Sequence, residues 1–290
     1  MNPFKTKRLI LVRHGETAWN AEGRIQGMLD VPLNELGMQQ ARLVAAELAR
    51  IVDVAEHVAS DLVRTQETAS PIAEATGFEP RFDARIRERN FGIWQGMTYE
   101  QWRIKDAEGM ARYNAGDPDY GPEGGETAQQ FLERCVNAIT DLVMGAREKT
   151  LLLVTHGGVV SSMVRHSNGL SPQSARTWSV PNASISEWRV VWADGAPIFY
   201  CDRVGDVAHL AHALDEVDIA PSHRADTGLS PSAPGLGRRS VDTDSRSEPA
   251  ATATATALTP TLSPGERGPN IQAQAVARCK WSLPCQKEPT

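Results

Sequence analysis

Two apolar runs in this chain each end on a histidine. Leu9-Ile10-Leu11-Val12 leads into Arg13-His14-Gly15, and Leu151-Leu152-Leu153-Val154 leads into Thr155-His156-Gly157-Gly158. Short runs of this kind read as strands buried on both faces of a parallel sheet. In open α/β sheets, ligands bind beyond the carboxyl ends of such strands. Two imidazoles 142 positions apart are therefore expected to meet in one crevice. The arginine beside the first points to an anionic ligand.

The segments between these runs alternate in period. A helix is expected over about 35–50, with Asn34 as N-cap and Val44, Leu48 and Ile51 at helical spacing. His57-Val58-Ala59-Ser60 reads as a short strand, and a helix over about 64–76 stops at Gly77. Residues 97–125 are polar, Gly-rich and partly helical, the composition of an inserted cap. Thr127-Ala128-Gln129-Gln130 fits a capping box, and the helix after it sets Phe131, Cys135, Ile139 and Leu142 on one face. A helix over about 159–167 closes at Asn168-Gly169. Stretches 184–192 and 198–201 flank Ala193-Asp194-Gly195-Ala196 as a hairpin. The expected fold is α/β, with three layers: a mainly parallel central sheet, helices on both faces, one antiparallel edge and a small inserted helical cap.

Composition shifts near residue 220. Residues 221–290 hold 9 of the 18 prolines and a single aromatic, Trp281. A segment so poor in apolar side chains cannot offset its ordering entropy, so 219–290 is expected to be a disordered, low-complexity tail after a domain over 1–218. The stretch 258–268 resembles translated intergenic repeat DNA, and the tail reads as a read-through extension without a role. Residues 1–220 carry 22 Lys+Arg against 30 Asp+Glu, a net −8, which argues against nucleic acid or an acidic membrane as a partner. An anion site must then be a local arginine cluster. The four cysteines form no CxxC pair and read as reduced thiols, not as a zinc site. No run reaches membrane-spanning length, and the apolar run after Arg8 is too short for a signal-peptide core; the expected location is cytoplasmic.

Four patterns call for a joint explanation. They are Arg13-His14-Gly15 with Asn20 downstream, Ser60-Asp61-Leu62-Val63-Arg64, Arg87-Glu88-Arg89-Asn90-Phe91-Gly92, and Thr155-His156-Gly157-Gly158. Singly, each has an ordinary structural reading: a core histidine, a solvated arginine, a surface ion pair. Together and in this order, over about 8–210, they resemble the histidine phosphatase superfamily, which includes the cofactor-dependent phosphoglycerate mutases. The resemblance implies that His14 attacks phosphorus and becomes phosphohistidine, which requires a neutral imidazole. It implies that Arg13, Arg64 and His156 hold the phosphoryl oxygens, with Asn20 as a further contact. It makes Glu88 the proton donor and then the base for water. Gln26, Gly27 and Gly157 are expected to line the substrate site, Gly157 at a helix N-terminus that favours an anion. Gly15 is expected to clear space for phosphate, and Arg87 and Arg89 to point away from Glu88. One departure is Glu67, where the family usually has glutamine; three residues past Arg64, it is expected to lie near that guanidinium.

The same core serves phosphatases and mutases. The cap segment holds Arg103, Lys105 and Arg112 against six acidic residues, and this short, net-acidic cap fits a phosphatase better than a mutase. The stretches Gly23-Arg24-Ile25-Gln26-Gly27, Pro122-Glu123-Gly124-Gly125-Glu126-Thr127 and Gly205-Asp206-Val207-Ala208-His209-Leu210 resemble the branch of α-ribazole phosphatase and broad phosphomonoesterases. His209 reads as structural or cap-lining. The expectation is a metal-independent phosphomonoesterase acting on a small phosphorylated metabolite, without a cofactor. A phosphoglycerate mutase using 2,3-bisphosphoglycerate is the first alternative. A catalytically silent phosphate-binding regulator and a protein phosphatase are the others. Oligomeric state is not readable, and a homodimer stays open.

Overall fold

The computed structural model describes residues 6–53 and 55–211; the expected tail at 219–290 lies outside the described residues. The elements are β1 (Lys7–Arg13), α1 (Ala18–Ala21), α2 (Glu35–Ile51), β2 (Glu56–Ala59), α3 (Val63–Thr76), β3 (Pro80–Phe82), α4 (Tyr99–Lys105), α5 (Ala107–Asn114), α6 (Ala128–Gly145), β4 (Thr150–Thr155), α7 (Gly157–Ser167), β5 (Ile185–Ala193) and β6 (Ala196–Asp206). One six-stranded sheet has the order β3-β2-β4-β1-β5-β6. The β3-β2, β2-β4 and β4-β1 pairs are parallel, while β1-β5 and β5-β6 are antiparallel.

The two apolar runs that end on His14 and His156 form the two central strands, β1 and β4. Leu9 and Leu11, with Leu151 and Leu153, face one side and pack with α6 and α7 residues. Ile10 and Val12, with Leu152 and Val154, face the other side and pack with α2 and α3 residues. Strand alternation thus divides a continuous apolar run between two cores, which is why neither face can carry polar residues.

Local signals explain the boundaries. Asn34 Oδ1 accepts from Gly37 N at 2.8 Å and starts α2. Thr127 and Gln130 form a reciprocal capping box that starts α6. Gly77, in the left-handed region at φ 75°, ends α3. The 3-residue β3 is a difference from the sequence reading. Its proline and its exposed Arg81 and Phe82 give no strand pattern, and only parallel pairing with β2 makes it one.

The cap has its own small core of Ile25, Phe91, Trp94, Trp102, Met110 and Tyr120. Trp94 and Trp102 stack with centroids 5.5 Å apart, and Trp102 is fully buried. Truncating such a side chain typically costs about 3–5 kcal/mol. These two tryptophans therefore hold the cap together, while Tyr99 and Tyr113 turn to the cavity beneath it. No described helix is long and apolar enough to cross a membrane.

Candidate active site

Parallel pairing of β1 with β4 sets Arg13 beside Thr155. The next residue on each strand is a histidine, so the sheet itself brings the two imidazoles together. His14 N donates to Thr155 O at 2.9 Å, and the His14 and His156 rings lie 5.3 Å apart in an edge-on arrangement.

His14 is buried, and its pKa is held well below the ordinary value, first by loss of solvent and then by the Arg64 and Arg13 charges. The imidazole is therefore neutral. Its Nδ1 lies 2.7 Å from Gly15 O. A carbonyl only accepts, so Nδ1 carries the proton and Nε2 keeps its lone pair. That is the tautomer a nucleophile needs.

Asn182 braces this residue from the far end of the chain. Its Nδ2 is within reach of His14 O (3.1 Å), Gly15 O (3.2 Å) and Asn20 Oδ1 (3.1 Å). Ala183 N donates to His14 O at 3.1 Å, and Ala183 sits at φ 55°, a left-handed conformation that is costly for alanine. His209 Nε2 bonds Ala183 O at 3.0 Å, which places His209 behind the His14 loop in a structural role.

Arg13 and Arg64 flank the imidazoles. Arg64 is fully buried, and burial pushes its pKa down to about 10. Its Nη groups donate to Leu29 O (2.8 Å) and Gly27 O (2.7 Å). Arg13 Nη1 donates to Val180 O at 2.7 Å. The Nε of each arginine is buried with no partner among the described residues. Buried donors without acceptors are rare, and these two belong to guanidinium groups, which pair well with anions.

His156 is also buried and neutral for the same reason, loss of solvent first and the Arg64 charge second. Its Nε2 lies 2.9 Å from Ser60 Oγ, which itself receives Leu62 N at 3.4 Å. His156 Nδ1 is another buried atom with no partner among the described residues. With the Ser60 hydroxyl donating to Nε2, the proton of His156 sits on Nδ1 and the ring can donate from there.

Glu88 enters from the loop before the cap. Its Oε1 accepts from Arg89 N (2.9 Å) and its Oε2 from Gly158 N (3.0 Å) in the first turn of α7. The group seated at this helix N-terminus is thus the Glu88 carboxyl. Both flanking arginines point away. Arg87 pairs with Asp61 at 2.6 Å, and Arg89 donates to Tyr120 O and Glu126 O. Thr155 Oγ1 donates to Ile86 O, tying this loop to β4.

The remaining expected residues divide. Asn20, Gln26, Gly27 and Gly157 all line the cavity. Asn20 Oδ1 is taken by Thr17 and Asn182, which leaves its amide nitrogen for a ligand. Gln26 Oε1 is buried and unpartnered.

Two expectations need correction. A Cβ on Gly15 would meet Gly37 O at 2.5 Å, so this glycine admits the start of α2, and phosphate clearance is not what excludes a side chain. Glu67 does not lie against Arg64. Its Oε2 accepts from Leu33 N at 2.7 Å, holding the loop before α2.

Sequence reasoning missed Ser60 and Asn182 as positioning residues. Ser60 directly follows β2, where the strand-end rule points. Asn182 carried no local signal.

These residues border a cavity of about 580 Å³ beneath the cap. Among the described residues, six arginines line it (Arg13, Arg24, Arg64, Arg89, Arg165 and Arg176) against one carboxylate, Glu88. A chain of net charge −6 has therefore gathered a strongly cationic pocket. The described residues hold no cluster of three or more His, Cys, Asp or Glu side chains placed to bind a metal ion.

The sequence model of the histidine phosphatase superfamily (branch 1) matches residues 9–199. The chain belongs to this superfamily. It is an enzyme of the phosphatase type that the superfamily defines, with relatives also named as mutases. It is 37% identical over 214 residues to the probable phosphoglycerate mutase GpmB of Citrobacter koseri, covering 72% of this chain and 98% of that one. Its fold matches a mycobacterial glucosyl-3-phosphoglycerate phosphatase in complex with VO3, at TM-score 0.61 and 30% identity, covering 69% of this chain and all of that one. It also matches a phosphoserine phosphatase of Entamoeba histolytica in complex with phosphoserine, at TM-score 0.61 and 26% identity, covering 70% and 99%.

Proposed function

We propose that this enzyme is a metal-independent phosphomonoesterase that hydrolyses a small phosphorylated metabolite through phospho-His14. The observation that carries the reading is the protonation state built around His14. A buried, neutral imidazole has its proton fixed on Nδ1, beside guanidinium groups with unpartnered buried donors.

His14 Nε2 attacks phosphorus as the bond to the ester oxygen breaks. Glu88 gives its proton to that leaving oxygen, and the alcohol departs. Arg13, Arg64 and His156 Nδ1–H donate to the non-bridging oxygens, where negative charge must be held through the transfer. Asn20 adds a donor from its amide nitrogen. A water molecule then attacks phosphorus and passes a proton to Glu88. The P–N bond breaks, inorganic phosphate leaves, and His14 returns to its neutral form.

The cap supports hydrolysis over mutase chemistry. Arg103 pairs with Glu100 and Arg112 with Asp117, and neither these arginines nor Lys105 line the cavity. The mutase reading is supported by the names of the curated relatives, among them the Citrobacter protein and a phosphoglycerate mutase-like protein of Arabidopsis thaliana.

The deciding experiment is phosphate release from a panel of phosphomonoesters without added metal, with His14→Ala as control. Release that disappears in the variant supports the phosphatase. Interconversion of 2- and 3-phosphoglycerate on addition of 2,3-bisphosphoglycerate, with negligible phosphate release, would establish the mutase instead.

A further inference from the structure

Of the six cavity arginines, four have tasks already described. Arg13 and Arg64 face the phosphoryl site, Arg24 pairs with Glu22 and donates to Gly96 O, and Arg89 is spent on cap carbonyls. Arg165, near the end of α7, and Arg176, on the loop between α7 and β5, remain. Neither makes an ion pair with a carboxylate among the described residues, and the proposed chemistry uses neither.

Both are organised around one anchor. Trp178 is buried, with its indole N–H directed at Ser161 Oγ (3.3 Å). The Arg165 guanidinium stacks over the Trp178 ring at 4.9 Å. Arg176 Nε donates to Trp178 O at 3.0 Å. The loop that carries Arg176 is in turn held against the cap: a Cβ on Gly116, just past α5, would come within 2.2 Å of Pro172 O. Arg165 makes only long contacts to Pro172 O (3.4 Å) and Ser174 O (3.3 Å), both through Nη2. Its Nε and Nη1, and both Nη groups of Arg176, have no protein acceptor among the described residues.

The two charges feel each other. Arg165 is held below its ordinary pKa by burial first and by Arg176 second, and Arg176 also acts on Arg13. Like charges brought together without a counter-ion repel, and an anion lying between them relieves that cost. Planar guanidinium forks suit the oxygens of a carboxylate or a phosphate.

We propose that Arg165 and Arg176 form a second anion subsite in the cavity, so that the substrate bears, besides its phosphomonoester, a carboxylate or a second phosphate. This rests on the reading of His14 as the phosphoryl acceptor. Arg176 then aligns one end of the substrate while His14 reacts at the other. The basic residues that bind the far end come from α7 and its following loop, not from the cap.

The test is steady-state hydrolysis by the full chain on matched pairs. 3-Phosphoglycerate and glycerol 3-phosphate differ by a carboxylate against a hydroxymethyl group. Fructose 1,6-bisphosphate and fructose 6-phosphate differ by the second phosphate. The wild type is expected to favour the doubly anionic member of one pair by about 10-fold or more in kcat/KM, the scale of one or two charge-assisted hydrogen bonds. The favoured pair identifies the second anion. Arg176→Ala and Arg165→Met should bring that ratio towards one, and Arg176→Glu should invert it. Arg176 is exposed, so its variants are expected to fold and decide the matter if Arg165→Met does not. A wild-type ratio near one in both pairs, or a ratio that survives in folded Arg176→Glu, overturns the subsite while leaving the phosphatase standing. Absence of phosphate release from every compound, p-nitrophenyl phosphate included, removes the phosphatase reading and the subsite with it.

Discussion

Gly158→Ala isolates the position of Glu88. A methyl carbon at residue 158 would lie 2.1 Å from Glu88 Oε1 and 2.9 Å from Phe131 Cζ. That is roughly 1.3 Å short of a normal contact with the oxygen. Phe131 closes the other side, so the carboxylate must retreat and give up its 3.0 Å bond from Gly158 N. Gly158 lies in the first turn of α7 without a positive φ, so alanine suits the backbone, and the carboxylate takes the larger displacement, with Phe131 pressed less closely. A misplacement near 1 Å of a reacting group costs about 10²-fold, within the range of general acid catalysis. We expect kcat to fall about 100-fold on an alkyl phosphate, whose leaving oxygen needs a proton. p-Nitrophenyl phosphate, which leaves without one, should be affected far less. The assay is kcat on both compounds, with circular dichroism to verify the fold. Equal losses on both, or none on either, would refute the assignment of Glu88 as the acid.

Three further outcomes follow from the same geometry. His14 and His156 are neutral in the fold, with pKa values well below the 6.5 they take when unfolded. The unfolded chain therefore binds more protons just below that pH, and stability must fall as pH drops below about 6.5, by up to about 1.4 kcal/mol per pH unit for each group. Denaturant midpoints from pH 7.5 to 5 should show this slope, and a flat profile would contradict the burial of neutral imidazoles. Ser60→Ala strips His156 Nε2 of its partner in a buried site, so chemical denaturation should reveal a loss of about 1–3 kcal/mol. Unchanged stability would show that this hydrogen bond is not made. Glu67→Gln keeps an acceptor for Leu33 N–H, so kcat/KM should stay within about twofold of wild type. A large change would restore the idea that Glu67 tunes Arg64.

The layered fold was legible because its signals are local. Asn34, Thr127 with Gln130, and Gly77 mark helix ends by short-range hydrogen bonds and backbone conformation. The meeting of His14 with His156 followed from one topological rule, since β1 and β4 are adjacent and parallel. What failed to show depends on approach in space. Gly15 is small because α2 begins against it, and Glu67 turns to a loop 34 residues earlier in the chain. Asn182 reaches His14 across 168 positions, and no sequence pattern marks such a contact. The segment 97–125 is net acidic, but cavity arginines at 165 and 176 enter from outside it, so the charge of the cap alone does not give the charge of the pocket.

The central claim is that phosphorus passes through His14. Its most direct test is a rapid acid-free quench of the enzyme with a ³²P-labelled phosphomonoester that it turns over, followed by peptide mapping. The account predicts an acid-labile, alkali-stable label on the peptide containing His14, formed and discharged at rates consistent with turnover and absent in His14→Ala. Turnover without a labelled histidine, or activity retained by His14→Ala, would contradict it.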